Sequence, residues 1–431
     1  MNKKEEILNK LFSLQRFGIK PGLERTVKLL EYTGNPHLRF PSIHVAGTNG
    51  KGSVCSMIAS ILMEAGYKVG LYTSPHLVRF NERIRINENE LSDDEMVELA
   101  EKLLTGKEKW ECTFFEITTV MAFEYFARNN VDIAVIETGM GGRFDSTNVL
   151  TPLVSIISNI SHDHKEYLGN TLEEIAYEKA GIIKENTPVI ITDNNKAIKQ
   201  IFEQKAKEER AEMIYCHDFC SCEEHRYNPD FTQTISIKTL KNLYENISLS
   251  LAGSHQQQNL YGAICTIEII SGKFPVEQEN VNNGLANIKK NTGIRGRIEL
   301  LSDNPPIILD TGHNPGSMTK LIETLKLHRP DINNWNFVYG AMADKDIPEV
   351  LKIIKPVCDE IILTQPKIDR AIELNILSDY ANKNNLRITH SFNNVSDAVK
   401  FAINSGKPTV ITGSFYLAGE ALPVMEKMLK V

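Results

Sequence analysis

The segment best suited to chemistry is a glycine-rich run that reads HVAGTNGKGS and occupies residues 44–53. A short apolar stretch precedes it and an apolar-periodic helix follows it, as in loops whose backbone N–H groups cradle phosphate oxygens. In this arrangement Lys51 neutralises charge on the outer phosphates, and the Ser53 hydroxyl reaches a phosphate-bound Mg²⁺. We therefore predict a nucleotide-binding site at this turn.

The run departs from the strict P-loop pattern at two positions. Val45 stands where the first glycine belongs, and Gly52 separates Lys51 from Ser53. The alternative is a glycine turn with a solvated lysine. The strand before the turn and the helix after it favour the nucleotide site.

A carboxylate, Glu137, ends the apolar stretch VDIAVIE, and the glycine-rich sequence TGMGGR follows it. The carboxyl edge of an open α/β sheet is where ligands bind, and a carboxylate that faces a phosphate site suits a hard cation such as Mg²⁺. The glycines do not form a dinucleotide fingerprint, because Phe144 occupies the third position. The alternative is that Glu137 caps a helix or pairs with Arg143.

His164 follows a third apolar strand, residues 153–159, and reaches the same predicted sheet edge. It is therefore a candidate metal ligand, although loop histidines are most often solvated or hydrogen-bonded bystanders. Lys179 lies near the end of an amphipathic stretch, residues 172–184. Its position within that helix predicts an ordinary surface lysine.

In the second half of the chain, Asp310 and His313 follow the strand at residues 307–309, and Arg297 follows a glycine. An acid and a histidine three residues apart at a strand end can face a substrate together. The alternative is a turn in which Asp310 accepts backbone hydrogen bonds. We favour the functional interpretation.

Residues 216–225 contain three cysteines and two histidines. This density permits a zinc site, but the segment lacks a paired CxxC, so an incidental loop cluster is the favoured interpretation. No export signal is recognisable at the amino terminus, and the seven cysteines are therefore expected to be reduced thiols in a cytoplasmic protein.

The elements that position these residues alternate between strands and helices, which predicts parallel sheets with crossover helices and an α/β fold in two domains. A polar, glycine-bearing stretch at residues 287–296 is the candidate linker, which places the domains at residues 1–292 and 293–431. Predicted strands lie at residues 41–46, 68–72, 131–137, 153–159 and 188–192, with helices at 92–104, 116–129, 172–184 and 196–209 and a hairpin at 231–251.

Composition excludes several classes of protein. The 431 residues include 48 Lys and Arg against 55 Asp and Glu, a net charge of −7, which argues against a nucleic-acid-binding protein. No apolar run approaches the roughly 18 residues that span a bilayer, so we expect no membrane partner. The apolar fraction of 42% is that of an ordinary globular protein rather than a fibrous or disordered one.

Several motifs occur in an order that resembles the folylpolyglutamate synthase and dihydrofolate synthase branch of the Mur ligase superfamily. The resemblance extends from about residue 18 to residue 418, and DTGHNP departs from the more usual DGAHNP. The motifs are HVAGTNGKGSV (44–54), YTSPHLVRFNERI (72–84), ETGMGGRFDSTN (137–148), SHDHKEYLG (161–169), EKAGIIK (178–184), GSHQQQN (253–259), GRIE (296–299) and DTGHNP (310–315).

This resemblance implies an amino-terminal P-loop-type Mur ligase ATPase domain with a parallel-rich sheet and a smaller, Rossmann-like carboxy-terminal domain. It implies that ATP phosphorylates a substrate carboxylate and that the amine of L-glutamate attacks the acyl phosphate, releasing ADP and phosphate. The acceptor would be dihydropteroate, a folate, or both, and the bifunctional enzyme is favoured. Alternatives are a monofunctional folylpolyglutamate synthase, another Mur-type amide ligase, a simple kinase and a non-catalytic nucleotide-binding protein.

The resemblance also implies roles for individual residues. Lys51, Lys179, Asp310 and His313 would be catalytic, with Lys179 carbamylated to N6-carboxylysine and the last two also handling glutamate. The cofactor would be Mg²⁺, with a monovalent cation as a further candidate, and we expect a monomer. The remaining implied contacts are to ATP (Thr48, Asn49, Gly50, Lys51, Gly52, Ser53, Asn259, Arg297, Asp310), to metal (Ser74, Glu137, His164) and to the pterin or folate (Arg143, Asp145).

Overall fold

The computed structural model describes residues 3–14, 22–162 and 165–430. The chain divides into two compact units. The first comprises residues 1–221, 237–244 and 258–293, and the second comprises residues 222–236, 245–257 and 294–431. Each unit contains its own parallel-rich sheet, so the predicted α/β class is confirmed.

The first unit is built on a sheet that, within the described residues, has eight strands in the order β4-β3-β2-β5-β1-β6-β7-β8. The pairs that β1 forms with β5 and β6 are parallel, as are β2–β5, β6–β7 and β7–β8, whereas β3 and β4 add antiparallel pairs at one edge. The strands are β1 (Ser42–Ala46), β2 (Val69–Tyr72), β3 (Ile84–Ile86), β4 (Asn89–Glu90), β5 (Ile133–Glu137), β6 (Val154–Ile157), β7 (Val189–Ile191) and β8 (Met213–Tyr215).

Helices cover this sheet and extend to residue 292. Their bounds are α1 (Lys3–Ser13), α2 (Glu24–Tyr32), α3 (Lys51–Glu64), α4 (Asp93–Trp110), α5 (Phe114–Arg128), α6 (Lys165–Leu168), α7 (Leu172–Ala180), α8 (Lys196–Glu208), α9 (Cys216–Phe219), α10 (Gln256–Ile270), α11 (Gln278–Ala286) and α12 (Ile288–Thr292). None of the helices in the described part of the chain has the length and apolar character needed to cross a membrane.

Helix α3 is buried almost all round because small residues let its neighbours approach closely. The Ser60 hydroxyl donates to the carbonyl oxygen of Gly284 at 2.6 Å, which ties α3 to α11. A Cβ added at Gly284 would lie 2.6 Å from the Cα of Ile61, so this contact requires glycine. The helix that begins at the glycine-rich turn is therefore held by packing along its length.

The second unit contains a sheet whose six strands in the described chain have the order β12-β13-β17-β14-β15-β16. The β12–β13 pair is antiparallel and the other pairs are parallel. The elements are β12 (Glu299–Asp303), β13 (Pro306–Leu309), α13 (Pro315–His328), β14 (Trp335–Tyr339), α14 (Ile347–Ile354), β15 (Cys358–Thr364), α15 (Leu374–Lys383), β16 (Ile388–Phe392), α16 (Val395–Asn404), β17 (Thr409–Thr412) and α17 (Phe415–Leu429).

The structure corrects one local interpretation and adds detail to another. The segment at 216–225 is not a loop, because helix α9 is followed directly by strand β9 (Cys220–Tyr227), which joins β10 (Gln233–Thr239) and β11 (Leu243–Leu249) in a three-stranded sheet. The candidate linker at 287–296 is partly helical, because Ile288 and Thr292 of α12 are buried and give that short helix an apolar anchor.

The ends of two helices differ from those that the apolar periodicity predicts. The helix predicted at 172–184 ends at Ala180, and the backbone N–H of Gly181 caps it. The helix predicted at 92–104 continues to Trp110. These shifts leave the order of elements around the candidate site unchanged.

Candidate functional site

The glycine-rich turn lies at the end of the central strand β1, whose five residues are all buried. The chain turns at Gly47 and Gly50, where φ is 153° and 89°. A side chain on Gly47 would clash with the Ser158 hydroxyl, and one on Gly50 would clash with the Asn259 side chain. Both positions therefore require glycine, and Asn259, from a distant part of the sequence, is brought against the turn.

Polar contacts hold the turn to the loop after β6. The backbone N–H of Thr48 donates to the carbonyl oxygen of Asn159 at 2.7 Å, and its hydroxyl donates to the carbonyl oxygen of Ser161 at 3.0 Å. The Asn49 amide donates to the Ser161 hydroxyl at 2.9 Å. Thr48 and Asn49 thus shape the loop through contacts within the protein.

Lys51 is the first residue of α3, and its ammonium group turns back over the loop. The Nζ atom donates to the carbonyl oxygens of Gly47 at 3.1 Å and of Thr48 at 3.3 Å. Gly52 and the buried Ser53 complete the first turn of the helix. The arrangement places a cation, a hydroxyl and a helix N-terminus together, the combination that binds phosphate.

Glu137 and Ser74, which lie on neighbouring strand ends, are brought together by the sheet. The backbone N–H of Ser74 donates to Oε2 of Glu137 at 3.0 Å, and the carboxylate side chain is 3% exposed. The third predicted metal ligand, His164, lies outside the described residues. Among the residues that are described, no three His, Cys, Asp or Glu side chains form a group that could hold a metal ion.

Lys179 is not a surface lysine. Only 2% of it is exposed, and its Nζ atom donates to the Gly47 carbonyl oxygen at 2.8 Å, the same oxygen that accepts from Lys51. Ile175, Ala176 and Ala180 of the same short helix are buried as well. The spacing from Ile175 and Ala176 places Lys179 on that buried face, a signal that the sequence already contained.

Asp145 and Arg143 have different surroundings although they are two residues apart. The Asp145 carboxylate accepts backbone N–H bonds from Gly139 and Met140, each at 2.9 Å, and burial raises its pKa. The Arg143 guanidinium pairs with Glu178 at 2.6 Å and is partly exposed. Asp145 therefore orders its own loop, whereas Arg143 reaches the surface.

Arg143 also contacts two aromatic rings. Its guanidinium carbon lies 4.4 Å from the Phe144 ring centre and 5.1 Å from that of Tyr177, and about half of each ring residue is exposed. Sequence reasoning did not identify these two aromatic residues. A flat, partly apolar surface beside a cation can accept a planar aromatic ligand.

His44, which the motif also contains, lies beneath the turn rather than in it. Its Nε2 lies 2.8 Å from the Thr147 hydroxyl, which donates to Asp145 at 2.5 Å, so His44 must be the donor to Thr147. Burial, with a smaller contribution from Lys184, lowers the pKa of His44 to about 3. The imidazole is therefore neutral and structural.

We expect His44 to make the fold sensitive to acid. Its pKa is 6.5 when unfolded and about 3 when folded, so the unfolded chain binds the proton and stability falls as pH drops through this window. The expected slope is up to about 1.4 kcal/mol per pH unit for this group. The free energy of unfolding, measured with urea between pH 6.5 and 5, should depend less on pH in His44→Gln than in the wild type. His390 is exposed, so His390→Gln should show the same pH dependence as the wild type. An unchanged slope in His44→Gln would contradict the assignment.

In the second unit, Asp310 directly follows β13, and its carboxylate accepts three hydrogen bonds. The donors are the backbone N–H groups of Ile298 and Gly312, at 3.2 and 2.8 Å, and the hydroxyl of Thr412 at 3.2 Å. Burial raises the pKa of Asp310 despite these bonds and the nearby Arg297. The carboxylate thus fixes the turn, as the alternative interpretation proposed, and that role does not exclude a substrate contact.

Thr311 organises the two other predicted residues of this turn. Its hydroxyl accepts from Arg297 at 3.0 Å and donates to the carbonyl oxygen of Gly296 at 3.1 Å, while its carbonyl oxygen lies 3.1 Å from Nδ1 of His313. Phe415 lies 5.1 Å from the Arg297 guanidinium carbon and 6.1 Å from the His313 ring. Arg297, Asp310 and His313 are therefore neighbours, and Thr311, Thr412 and Phe415 are supporting residues that sequence reasoning missed.

Two protein-family models match the chain. The Mur ligase middle domain matches residues 45–267, and the Mur ligase glutamate ligase domain matches residues 296–415. Both matches include predicted site residues of the corresponding part of the chain.

Individual proteins are similar over nearly the whole length. A dihydrofolate synthase/folylpolyglutamate synthase of Bacillus subtilis (strain 168) is 37% identical over 414 residues, which cover 94% of this chain and 95% of that protein. A folylpolyglutamate synthase of Mycobacterium tuberculosis, solved with ADP and AMPPCP, has a TM-score of 0.90 and 29% identity over 98% of this chain and 99% of that one. E. coli FolC in complex with DHPP and ADP has a TM-score of 0.87 and 27% identity over 98% of both chains.

Proposed function

The chain belongs to the Mur ligase family, and from this premise we propose that it is an ATP-dependent ligase that joins L-glutamate to folates. The observation that carries the proposal is the turn at the end of β1, where Lys51 and Lys179 both reach the Gly47 carbonyl oxygen and α3 begins. The similarity to folylpolyglutamate and dihydrofolate synthases over more than nine-tenths of the chain supports the choice of substrates.

In the proposed reaction, a carboxylate oxygen of the acceptor attacks the γ-phosphorus of ATP, the bond to the β–γ bridging oxygen breaks, and an acyl phosphate and ADP form. The glutamate amine then attacks the acyl carbon, and the tetrahedral intermediate releases phosphate. Lys51 stabilises the negative charge that develops on the transferred phosphoryl group, because a preorganised cation in a partly buried site is more effective than one in water. The backbone N–H groups at the start of α3 add to this stabilisation.

The residues present fit a magnesium ion. Glu137 ends β5, which pairs with β1, and its buried carboxylate accepts from the Ser74 backbone N–H. Carboxylate and hydroxyl oxygens are ligands that Mg²⁺ prefers. We propose that Ser74, Glu137 and His164 hold it, the last by resemblance. When bound, the ion would neutralise charge on the phosphate oxygens of ATP.

We propose that Lys179 is carbamylated in the working enzyme. Two ammonium groups that share one carbonyl acceptor repel each other, and a buried unmodified lysine is costly to charge. The ammonium group loses one proton to give the neutral amine, whose nitrogen attacks CO₂ and releases a second proton, so a carbamate anion that Lys51 can attract replaces the cation. The buried position of Lys179 at the turn supports this proposal.

The second unit supplies the groups we assign to the incoming glutamate and to ATP. Because the Thr311 carbonyl oxygen can only accept, Nδ1 of His313 donates to it, and in the neutral tautomer Nε2 can accept a proton from the ammonium group of the incoming glutamate. Arg297 offers a guanidinium to anionic groups. We retain the proposed division at residues 1–292 for ATP and 293–431 for glutamate ligation.

We propose that the pteridine or folate acceptor binds at Arg143, on the partly exposed face formed with Phe144 and Tyr177. Asp145 supports this face by ordering the loop rather than by contact with the acceptor. Both dihydropteroate and folates carry a flat ring system that matches such a face.

Substitution of Thr311 tests the organisation of the second unit. Thr311→Val removes the hydroxyl that positions Arg297, and we expect the KM for ATP to rise about fivefold, the equivalent of one hydrogen bond of about 1 kcal/mol. Thr319→Val, in which an exposed hydroxyl on α13 is removed, is the control. Equal KM values in the two variants would count against the role of Arg297 in ATP binding.

The function is tested by measuring ADP release that depends on glutamate, in parallel with dihydropteroate and with tetrahydrofolate. We expect turnover with both acceptors, as in a bifunctional enzyme. Turnover with tetrahydrofolate alone would indicate a monofunctional folylpolyglutamate synthase. Turnover with dihydropteroate alone would indicate a dihydrofolate synthase. ADP release without glutamate would indicate a kinase. If neither acceptor supported ADP release, the proposal would be overturned.

A further inference from the structure

Three cysteines of the first unit, none of which the proposed reaction uses, lie together in its interior. The Sγ atom of Cys265 lies 3.5 Å from that of Cys220 and 3.7 Å from that of Cys216. All three residues are free thiols and buried, and Cys220 is the most accessible at 6% exposed. The Cys265 sulfur atom is therefore in contact with each of the other two without being bonded to either.

We propose that Cys220 and Cys265 form a modification site at which a small hydroperoxide generates a disulfide cross-link. The Cys220 sulfur attacks one oxygen of hydrogen peroxide, the O–O bond breaks, and a sulfenic acid and one water form. The Cys265 sulfur then displaces the hydroxyl group, which leaves as a second water with the Cys265 proton. The two sulfur atoms lose two electrons in total, and the peroxide gains them.

Proximity rather than thiol acidity drives this chemistry. Contact with the Cys265 thiol and burial both raise the pKa of Cys220, so the group is protonated at neutral pH and the first step is slow. Once the sulfenic acid forms, its partner is already 3.5 Å away, and the second step has the high effective concentration of an intramolecular reaction.

The cross-link affects the nucleotide site because Cys265 lies on α10. The same helix carries Asn259, whose side chain packs against Gly50 of the turn. Bond formation shortens the sulfur separation from 3.5 Å to about 2.05 Å and pulls α10 toward the start of β9. This consequence rests on the proposed function, and a displacement of this size is expected to weaken ATP binding about tenfold.

The test treats the full-length protein with hydrogen peroxide, blocks the remaining thiols, and digests it with trypsin without reduction. We expect a linked pair of peptides, residues 211–226 and 242–273, that dithiothreitol separates. The link should persist in Cys216→Ser and Cys222→Ser and disappear in Cys220→Ser and Cys265→Ser. The Cys222 variant is the matched control, because Cys222 is on the same strand and its thiol contacts the Glu224 carbonyl oxygen instead.

Absence of the linked peptides in the wild type would overturn the proposal, as would a link that survives in Cys220→Ser. Calorimetric titration with ATP on the oxidised protein, before and after dithiothreitol, measures the consequence for the nucleotide site. A tenfold, reversible weakening is expected, and an unchanged Kd would overturn the coupling through α10. Because peptide mapping needs no turnover, failure of the proposed ligase activity would remain distinguishable from failure of this proposal.

Discussion

Lys51→Ala is expected to lower kcat by about 10²–10³-fold while leaving the fold intact, the range seen when one preorganised charge-stabilising donor is removed. In this structure the Lys51 ammonium contacts only loop carbonyl oxygens among the hydrogen bonds described, and its side chain does not belong to a hydrophobic core. The Lys51 side chain is therefore expected to contribute to ligand binding more than to the stability of the fold. The measurement is steady-state ADP release at saturating glutamate and acceptor, together with the thermal unfolding midpoint.

The matched control for this substitution is Lys10→Ala, in which an exposed lysine paired with Glu6 on the surface of α1 is removed. That variant should keep both wild-type kcat and wild-type stability, because exposed pairs of this kind contribute little. If Lys51→Ala turned over at the wild-type rate, the assignment of the glycine-rich turn as the phosphate site would be wrong. If it lost activity only by unfolding, the thermal midpoint would reveal it.

Lys179→Ala is expected to reduce kcat by about 10²-fold, because it removes both the buried amine at the Gly47 carbonyl oxygen and the carbamate that we propose forms on it. Acetate or formate should restore part of the activity, since a short carboxylate fits the space left by the side chain and replaces the anion. Omission of bicarbonate and CO₂ should lower the activity of the wild type in the same direction. The rescue is measured as kcat against carboxylate concentration.

Lys196 lies at the exposed start of α8, and Lys196→Ala is the control for general effects of carboxylate salts. Its kcat should equal that of the wild type, and added acetate or formate should not raise it. If Lys179→Ala had wild-type kcat without any added carboxylate, Lys179 would have no role in catalysis and the proposal would be contradicted. If Lys179→Ala lost activity and neither acetate nor formate restored it, the Lys179 amine would still be required for activity, but the result would count against the carbamate.

The glycine-rich turn was predictable because its determinants are local. Gly47 and Gly50 adopt backbone angles that favour glycine, and the strand before them and the helix after them follow from apolar spacing within about ten residues. The carboxyl ends of parallel strands meet at one edge, so the sequence also predicted that Glu137 would be near this turn, whereas Ser74 followed only from the family resemblance. The α/β class followed from the same alternation of strands and helices.

Other features depend on which surfaces face each other after folding, and local spacing does not determine that. Asn259 reaches Gly50 only because α10 packs beside the turn, and Cys265 meets Cys220 only through the same helix. The position of Lys179 in an amphipathic stretch predicts a surface lysine, whereas the packing of α7 buries it against Gly47.

The amino-acid sequence by itself thus determined the class of fold, the phosphate-binding turn and the types of side chain at the strand ends, since backbone preferences and periodicity act over a few residues. The tertiary structure alone decided that Asn259 lies against Gly50 and that Thr311 holds Arg297. The physical reason is that a buried polar group must find hydrogen-bond partners, and the identity of those partners is set by packing between segments.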